Sequence, residues 1–337
     1  MVHERTVQDL LRRAASGTAV HLATYTFTLT SLARACIAAA DRGVDVNVLV
    51  DECSAETDAT RLLLEGGGDR ASVTVGGATG DGIDHNKFLL AEELRDGTSK
   101  VVLQSSSNFT IAQRYRHNTS VVVRDDGDLY DAYRMYWDDM VAGETDPNYN
   151  RTEETDAATV YFSPRSDVDT HLEALERVTP SRDATIRFVV SIWTPRRSAV
   201  VERIAELVEG GCTVEVILDE ESRAIVPHLR RAGADVLEYP STALGELTPG
   251  QSPNVHSKTM LVDADVDADG ETKRRRLVYT GSQNLSEAGL CDNHEALLRI
   301  EDDDVYDQFV GDWERVYEQG RRLVGGEISA LVRRSGI

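Results

Sequence analysis

The chain is written twice. A constant offset of 176 residues, read without gaps, carries Ser106 onto Ser282 and Asn108 onto Asn284, then Leu129-Tyr130-Asp131-Ala132-Tyr133 and Trp137 onto Val305-Tyr306-Asp307-Gln308-Phe309 and Trp313. Earlier in each half, Val20 to Glu52 and Ile186 to Glu220 share another layout. An apolar, β-rich run leads into a segment with helical spacing, a glycine (Gly43 or Gly211) ends the helix, and a second apolar run finishes in Asp-Glu. These read as βαβ units. Two copies of one α/β unit of about 150 residues account for the length of 337. The polar stretch from Gly143 to Ala157, with Pro147 and no periodic pattern, is the expected boundary, giving lobes 1–150 and 151–337.

The basic residues are lopsided, because Lys87, Lys100, Lys258 and Lys273 are the only lysines among 36 Lys plus Arg. Two of the four stand in His85-Asn86-Lys87 and His256-Ser257-Lys258, and each triplet opens an apolar, strand-like run. Chance would place a His-x-Lys here about 0.1 times, so a pair at matching places in a repeat is a signal. Each is followed by a second strand and a small polar turn with an asparagine, Gln104-Ser105-Ser106-Ser107-Asn108 and Thr280-Gly281-Ser282-Gln283-Asn284. The spacing predicts hairpins whose ends gather His, Lys, Ser and Asn.

On a strand, residues i and i+2 share a face, so each histidine points the same way as its lysine. Lysine ammonium and asparagine amide groups donate to phosphate oxygens. A neutral imidazole attacks phosphorus while a second, protonated one gives its proton to the leaving oxygen. Two half-sites thus compose one phosphodiester-cleaving site.

His-x-Lys-x(4)-Asp followed by Gly-Ser-x-Asn, present twice, resembles the phospholipase D superfamily over residues 18–318. The resemblance implies an α/β fold of two pseudo-symmetric α/β/α-type lobes, each a central mixed β-sheet flanked by helices. It also implies a covalent phosphohistidine at His85, His256 as acid and then base, Lys87 and Lys258 on the phosphate, and Ser106, Asn108, Ser282 and Asn284 as further phosphate ligands. Neither metal nor other cofactor is implied. The motif acid is Asp263 in the second copy and Glu92 in the first, where this acid mostly buttresses structure. Ser105 stands where the motif has glycine, which asks that turn to manage without glycine's φ freedom. In Asn293-His294-Glu295 the carboxylate resembles the acid that orients a catalytic imidazole; the same offset gives Thr119 in the first half. One chain holding both half-sites implies a monomer.

Substrate class is left to weaker signals. The formal charge is −22, from 36 basic and 58 acidic residues, whereas proteins that grip nucleic acid normally carry excess Lys and Arg. A phospholipid head group is therefore the favoured phosphodiester. Nucleic acid is the alternative, with Arg114, Arg116, Arg196 and Arg197 as its candidate strip, and a phosphate-binding protein without catalysis stands third. No apolar run approaches the roughly 20 residues of a membrane span. The start, MVHERTVQDLLRRAASG, lacks the layout of a secretory signal, so a cytoplasmic location is the default; secretion stays open because relatives with this two-copy layout are often secreted.

Other patterns carry less. Glycine-rich Gly66 to Asp84 and proline-bearing Pro240 to Asn254 read as loops at the mouth of the site. Asp265, Asp267, Asp269 and Gly270 imitate a calcium loop, but Arg276 stands where its final Glu belongs. Cys36, Cys53, Cys212 and Cys291 form no CxxC pair, and His21, His117, His171, His228 and His294 lack zinc spacing. Abundant Asp and Arg with almost no Lys fits a protein adapted to concentrated salt, where the Debye length is about 3 Å near 1 M. The melting temperature is accordingly expected to fall when salt is dialysed away; a melt indifferent to salt would remove that reading.

Overall fold

A computed structural model describes residues 2–335 apart from 79, 241–253 and 269. Helix α1 (Val2–Arg13) leads into the first βαβ unit: β1 (Ala19–Thr24), α2 (Thr30–Ala40) and β2 (Asp45–Asp51). The strands pair in parallel, Ala19 opposite Asp45, and α2 buries Leu32, Ala33, Cys36, Ala39 and Ala40 as one face. Gly43, at φ +92°, makes the left-handed turn that a side chain would resist. Next come α3 (Asp58–Gly66) and β3 (Ala71–Gly76), then the hairpin β4 (Lys87–Glu93) and β5 (Ser99–Ser105), β6 (Ser120–Val123) and α4 (Gly127–Ala142). The sheet order is β3-β2-β1-β4-β5-β6, its first three strands parallel and its last three joining antiparallel.

The second half repeats the plan and extends it. Strands β7 (Thr152–Glu154) and β8 (Thr159–Ser163) precede α5 (Thr170–Glu176), β9 (Thr185–Val190), α6 (Ser198–Glu209), β10 (Thr213–Asp219), α7 (Val226–Arg231) and β11 (Asp235–Tyr239). A long hairpin, β12 (Lys258–Ala268) and β13 (Glu271–Gly281), is followed by α8 (Glu287–Cys291), β14 (Glu295–Glu301) and α9 (Asp303–Ser335). The order is β11-β10-β9-β12-β13-β14-β8-β7, so the chain from Thr152 onward already belongs to the second sheet. Two mixed sheets flanked by helices is the α/β architecture that the sequence implied.

The repeated aromatic helices explain how the halves dock. Tyr133, Tyr136 and Trp137 of α4 and Tyr306, Trp313 and Val316 of α9 lie in one apolar cluster with Phe88 and Leu90 of the first sheet and Leu261 and Val278 of the second. Separate clusters cover the outer faces, under α1 to α3 in the first half and under α5 to α7 in the second. The two sheets thus share their middle layer and neither half buries its inner face alone. No helix among the described residues is long and apolar enough to cross a membrane.

Two expectations change. The stretch from Gly66 to Asp84 is not one loop: β-branched Val73, Thr74 and Val75 pair with β2 as an edge strand. Most of the Pro240 to Asn254 loop lies outside the described residues. The glycine of the second motif, Gly281, is needed for space rather than for φ. A Cβ there would sit 2.1 Å from the Ala296 carbonyl oxygen, and neither Gly281 nor Ser105 has positive φ. In the first half Ser105 fits, and its Oγ donates to the Thr119 carbonyl. Gly281→Ala is expected to cost about 1–3 kcal/mol in a denaturant melt through overpacking, whereas Ser105→Gly costs less than that; equal effects would overturn the close-approach reading.

Candidate active site

The active groups stand where the two hairpins meet. Lys87 begins β4 and Lys258 begins β12, with His85 and His256 two residues earlier on the same face. The intervening residues turn inward: Asn86 Nδ2 donates to Asp84 Oδ1 and Tyr136 Oη, and Ser257 Oγ donates to the His117 carbonyl. Backbone bonds from the opposite lobe lock both triplets. His85 N–H donates to the His294 carbonyl at 3.0 Å, and His256 N–H to the His117 carbonyl at 2.7 Å.

Each imidazole is also held from across the lobes. His85 Nδ1 lies 2.8 Å from Glu295 Oε1, so its N–H donates to a carboxylate that is itself wholly buried, and Nε2 is left for the cleft. His256 Nδ1 lies 3.1 Å from Asn118 Oδ1. The Asn118 amide is oriented by Nδ2 donating to the Gln113 and Arg116 carbonyls, which turns its oxygen toward the ring. The sequence reading missed Asn118 because the repeat is not gapless there. Ser105 pairs with Ser120 and Gly281 with Leu297, an offset of 177, so the counterpart of Glu295 is Asn118 rather than Thr119. A one-residue slip in a strand exchanges its faces. The signal was present: Asn118 directly follows a histidine, as Glu295 does.

Both motif serines serve this arrangement. Thr119 N–H donates to Ser106 Oγ, which itself donates to Asn118 Oδ1 at 3.2 Å; Ala296 N–H donates to Ser282 Oγ, beside Glu295. Their hydroxyls thus tie down the strands that carry the two imidazole partners, instead of standing free for a ligand. The asparagines are different. Asn108 and Asn284 follow the ends of β5 and β13, and each has a buried Oδ1 acceptor with no partner among the described residues.

Charge in the cleft is concentrated and dehydrated. Lys87 Nζ donates to the His85 carbonyl and Lys258 Nζ to the His256 carbonyl at 2.8 Å, and both side chains are essentially inaccessible. Burial pulls Lys87 down to about 8, opposed by Glu295 and by Asp84. Lys258 is driven well below its ordinary value by burial and by Lys87. Burial also lowers His85, with Glu295 pulling the other way, and lowers His256 strongly, with Lys258 and Lys87 adding to it. Asp84, wholly buried, is pushed up to about 7. Tyr25 completes the His85 side, its ring 5.2 Å from the His85 ring and 5.5 Å from Lys87 Nζ.

The other sequence candidates lie away from the cleft. Glu92 Oε2 accepts from Ala19 N–H at the far end of β4, and Asp263 pairs with Arg274 across the long hairpin, so both acids brace strands. His21 packs on Trp137, and His117 and His294 hydrogen-bond to Tyr239 and Thr145. No cluster of three or more His, Cys, Asp or Glu able to hold a metal ion occurs among the described residues.

Fold and site define a two-lobed α/β protein in which each lobe brings a histidine and a lysine to one shared cleft. The chain belongs to the phospholipase D-like family: residues 8–141 and 151–317 match the family described as "Cardiolipin synthase, PLD-like domain". It is 30% identical over 118 residues to a phospholipase D of Rickettsia bellii, covering 35% of this chain and 54% of that protein. A phospholipase D of Rickettsia typhi is 28% identical over the same length, so the chain's match spans about half of these relatives. In fold it is similar to a phosphatidylserine synthase from Haemophilus influenzae (TM-score 0.64, 14% identity, covering 95% of this chain and 84% of that one). A polyphosphate kinase from Porphyromonas gingivalis gives a TM-score of 0.60 at 14% identity, over 96% of this chain and 53% of that one.

Glu295→Gln is expected to lower kcat on the order of 10²- to 10⁴-fold, the range for losing an orienting partner of a catalytic imidazole, and Asn118→Ala by about tenfold. The pH profile gives a second check. A lysine lowered to about 8 loses its charge as pH rises through that value, so kcat/KM should fall above pH of about 8. Removing Glu295, which opposes that lowering, should move this alkaline limb to lower pH; an unmoved limb would show that Lys87 does not set it.

Proposed function

We propose that the protein is a phosphodiesterase that cleaves, or transfers, the head group of a phospholipid through a covalent phosphohistidine. The observation that carries the reading is the unequal partnership of the two imidazoles. A carboxylate on His85 Nδ1 stabilises the positive charge that its ring gains when Nε2 bonds to phosphorus. His256, facing only a neutral amide, is suited to exchanging a proton. His85 Nε2 attacks phosphorus, the bond to the leaving oxygen breaks, and His256 delivers the proton that oxygen needs. Water or an alcohol then attacks the phosphorus–nitrogen bond, giving its proton back to His256 and freeing His85. Lys87, Lys258, Asn108 and Asn284 hold the nonbridging oxygens. The incoming negative charge also offsets the cations that depress His256, favouring its protonated form inside the complex.

The choice of lipid over nucleic acid is supported by what became of the candidate arginine strip. Arg114 pairs with Glu4, Arg196 with Glu287 and Arg197 with Asp169, so three of its four cations already have carboxylate partners. Added to a formal charge of −22, this leaves little positive surface for a polyanion to follow.

Release of the head-group alcohol from phospholipid in mixed micelles is the expected activity, persisting in excess EDTA; cutting of single-stranded DNA without lipid cleavage would overturn the substrate class, and strict metal dependence the mechanism. His85→Ala and His256→Ala should each abolish turnover. Acid-quenched protein should carry phosphorus on His85, most abundantly in a His256 variant given a substrate with a good leaving group; label at His256 instead would reverse the roles.

A further inference from the structure

Besides Glu295 and Asn118, the pseudo-symmetry fails at a second charged position, two residues earlier in each half. The 177 offset that matches Asn118 with Glu295 also matches Arg116 with Asn293. Asn293 is a neutral amide whose oxygen accepts from Ile83 N–H at 3.2 Å. Arg116 is a half-buried cation, two residues before the amide that holds His256, with its Nε buried and without a hydrogen-bond partner among the described residues. It makes no ion pair within 4 Å among those residues, unlike its neighbour Arg114. The charge is felt by His256, Lys258 and Asp219. Asp219 in turn accepts from Glu221 and Val255 N–H groups. A buried donor with no acceptor destabilises the free protein, and a ligand oxygen would relieve it.

Arg116 and Asn118 share a wall of a cavity of about 610 Å³ that lies between the loop before β6 and helices α1 and α9, with Tyr115, Phe309 and Arg315 also lining it. Arg315 is engaged by Asp312, so Arg116 is the cation there with binding capacity to spare. On the opposite side of the cleft, next to His85, stand Tyr25 and Cys53.

We propose that this cavity, through Arg116, receives the alcohol released or accepted at the His256 half-site, and that this alcohol carries its own anionic oxyacid group, such as a phosphate monoester. The inference rests on the phosphodiesterase reading, in which His256 protonates the leaving oxygen and so has the departing group beside it. A guanidinium fork binds phosphate in a bidentate manner and repels a quaternary ammonium. A choline-like head group would therefore be the wrong occupant.

The test compares two lipids that differ only in a terminal phosphate, phosphatidylglycerophosphate and phosphatidylglycerol, in mixed micelles. The wild-type protein should prefer the former by at least about tenfold in kcat/KM. In Arg116→Ala that ratio should fall to within about threefold of one, with Arg116→Lys in between; both variants are compared at matched melting temperature. A wild-type ratio near one, a ratio that survives Arg116→Ala, or an equal loss on both lipids, which would make Arg116 a ligand of the scissile phosphate, each overturns the proposal. If bis(4-nitrophenyl) phosphate is cleaved and neither lipid is, the phospholipid reading fails by itself. Inhibition of that cleavage by glycerol 3-phosphate then decides: inhibition weakened at least about tenfold in Arg116→Ala supports the cavity's role, and unchanged inhibition overturns it.

Discussion

Everything at the cleft depends on one crossed arrangement: each motif imidazole is oriented by a residue of the other lobe. Glu295, on the second sheet, holds His85, and Asn118, beside the first sheet, holds His256. The same crossing is repeated in the backbone, where each histidine N–H is bonded to a carbonyl of the opposite half. Neither half-site is therefore complete in its own lobe, and the paired arrangement exists only while the lobes stay docked. The shared aromatic layer of α4 and α9 supplies that docking. The motif serines contribute at one remove, by fixing the strands from which Asn118 and Glu295 project.

The arrangement is electrostatically costly, and the cost fits the use. Lys87 and Lys258 are buried in a cleft whose chief countercharge is Glu295, and Glu295 Oε2 itself lacks a partner among the described residues. Burial and mutual repulsion disfavour the charged form of both lysines, and Glu295 and Asp84 only partly offset this. In the proposed function, a phosphodiester anion would complete that balance.

Duplication explains the fold and departures from it explain the chemistry. Strict symmetry would give two equivalent histidines and no reason for either to act first. In the proposed mechanism, a carboxylate on one side and an amide on the other divides nucleophile from acid. Under the inference drawn for the cavity, Arg116 opposite Asn293 would divide the leaving-group side from the retained side in a similar way.

By itself the sequence determined the duplication, the βαβ units, the paired His-x-Lys triplets and their asparagines, because hydrophobic period and rare residue types are local properties that survive in one dimension. Glu295 was within reach for the same reason. The net charge was legible too, but its distribution was not: only folding showed that Arg114, Arg196 and Arg197 are paired with carboxylates while the Arg116 Nε is buried without a partner among the described residues. Asn118 was hidden by a single-residue slip, invisible until strand pairing fixed the register. The glycine of Gly281 looked like a matter of φ and proved to be a matter of room beside Ala296. Which imidazole meets which partner was decided by tertiary structure alone, since it depends on how two lobes more than a hundred residues apart in sequence lie against each other.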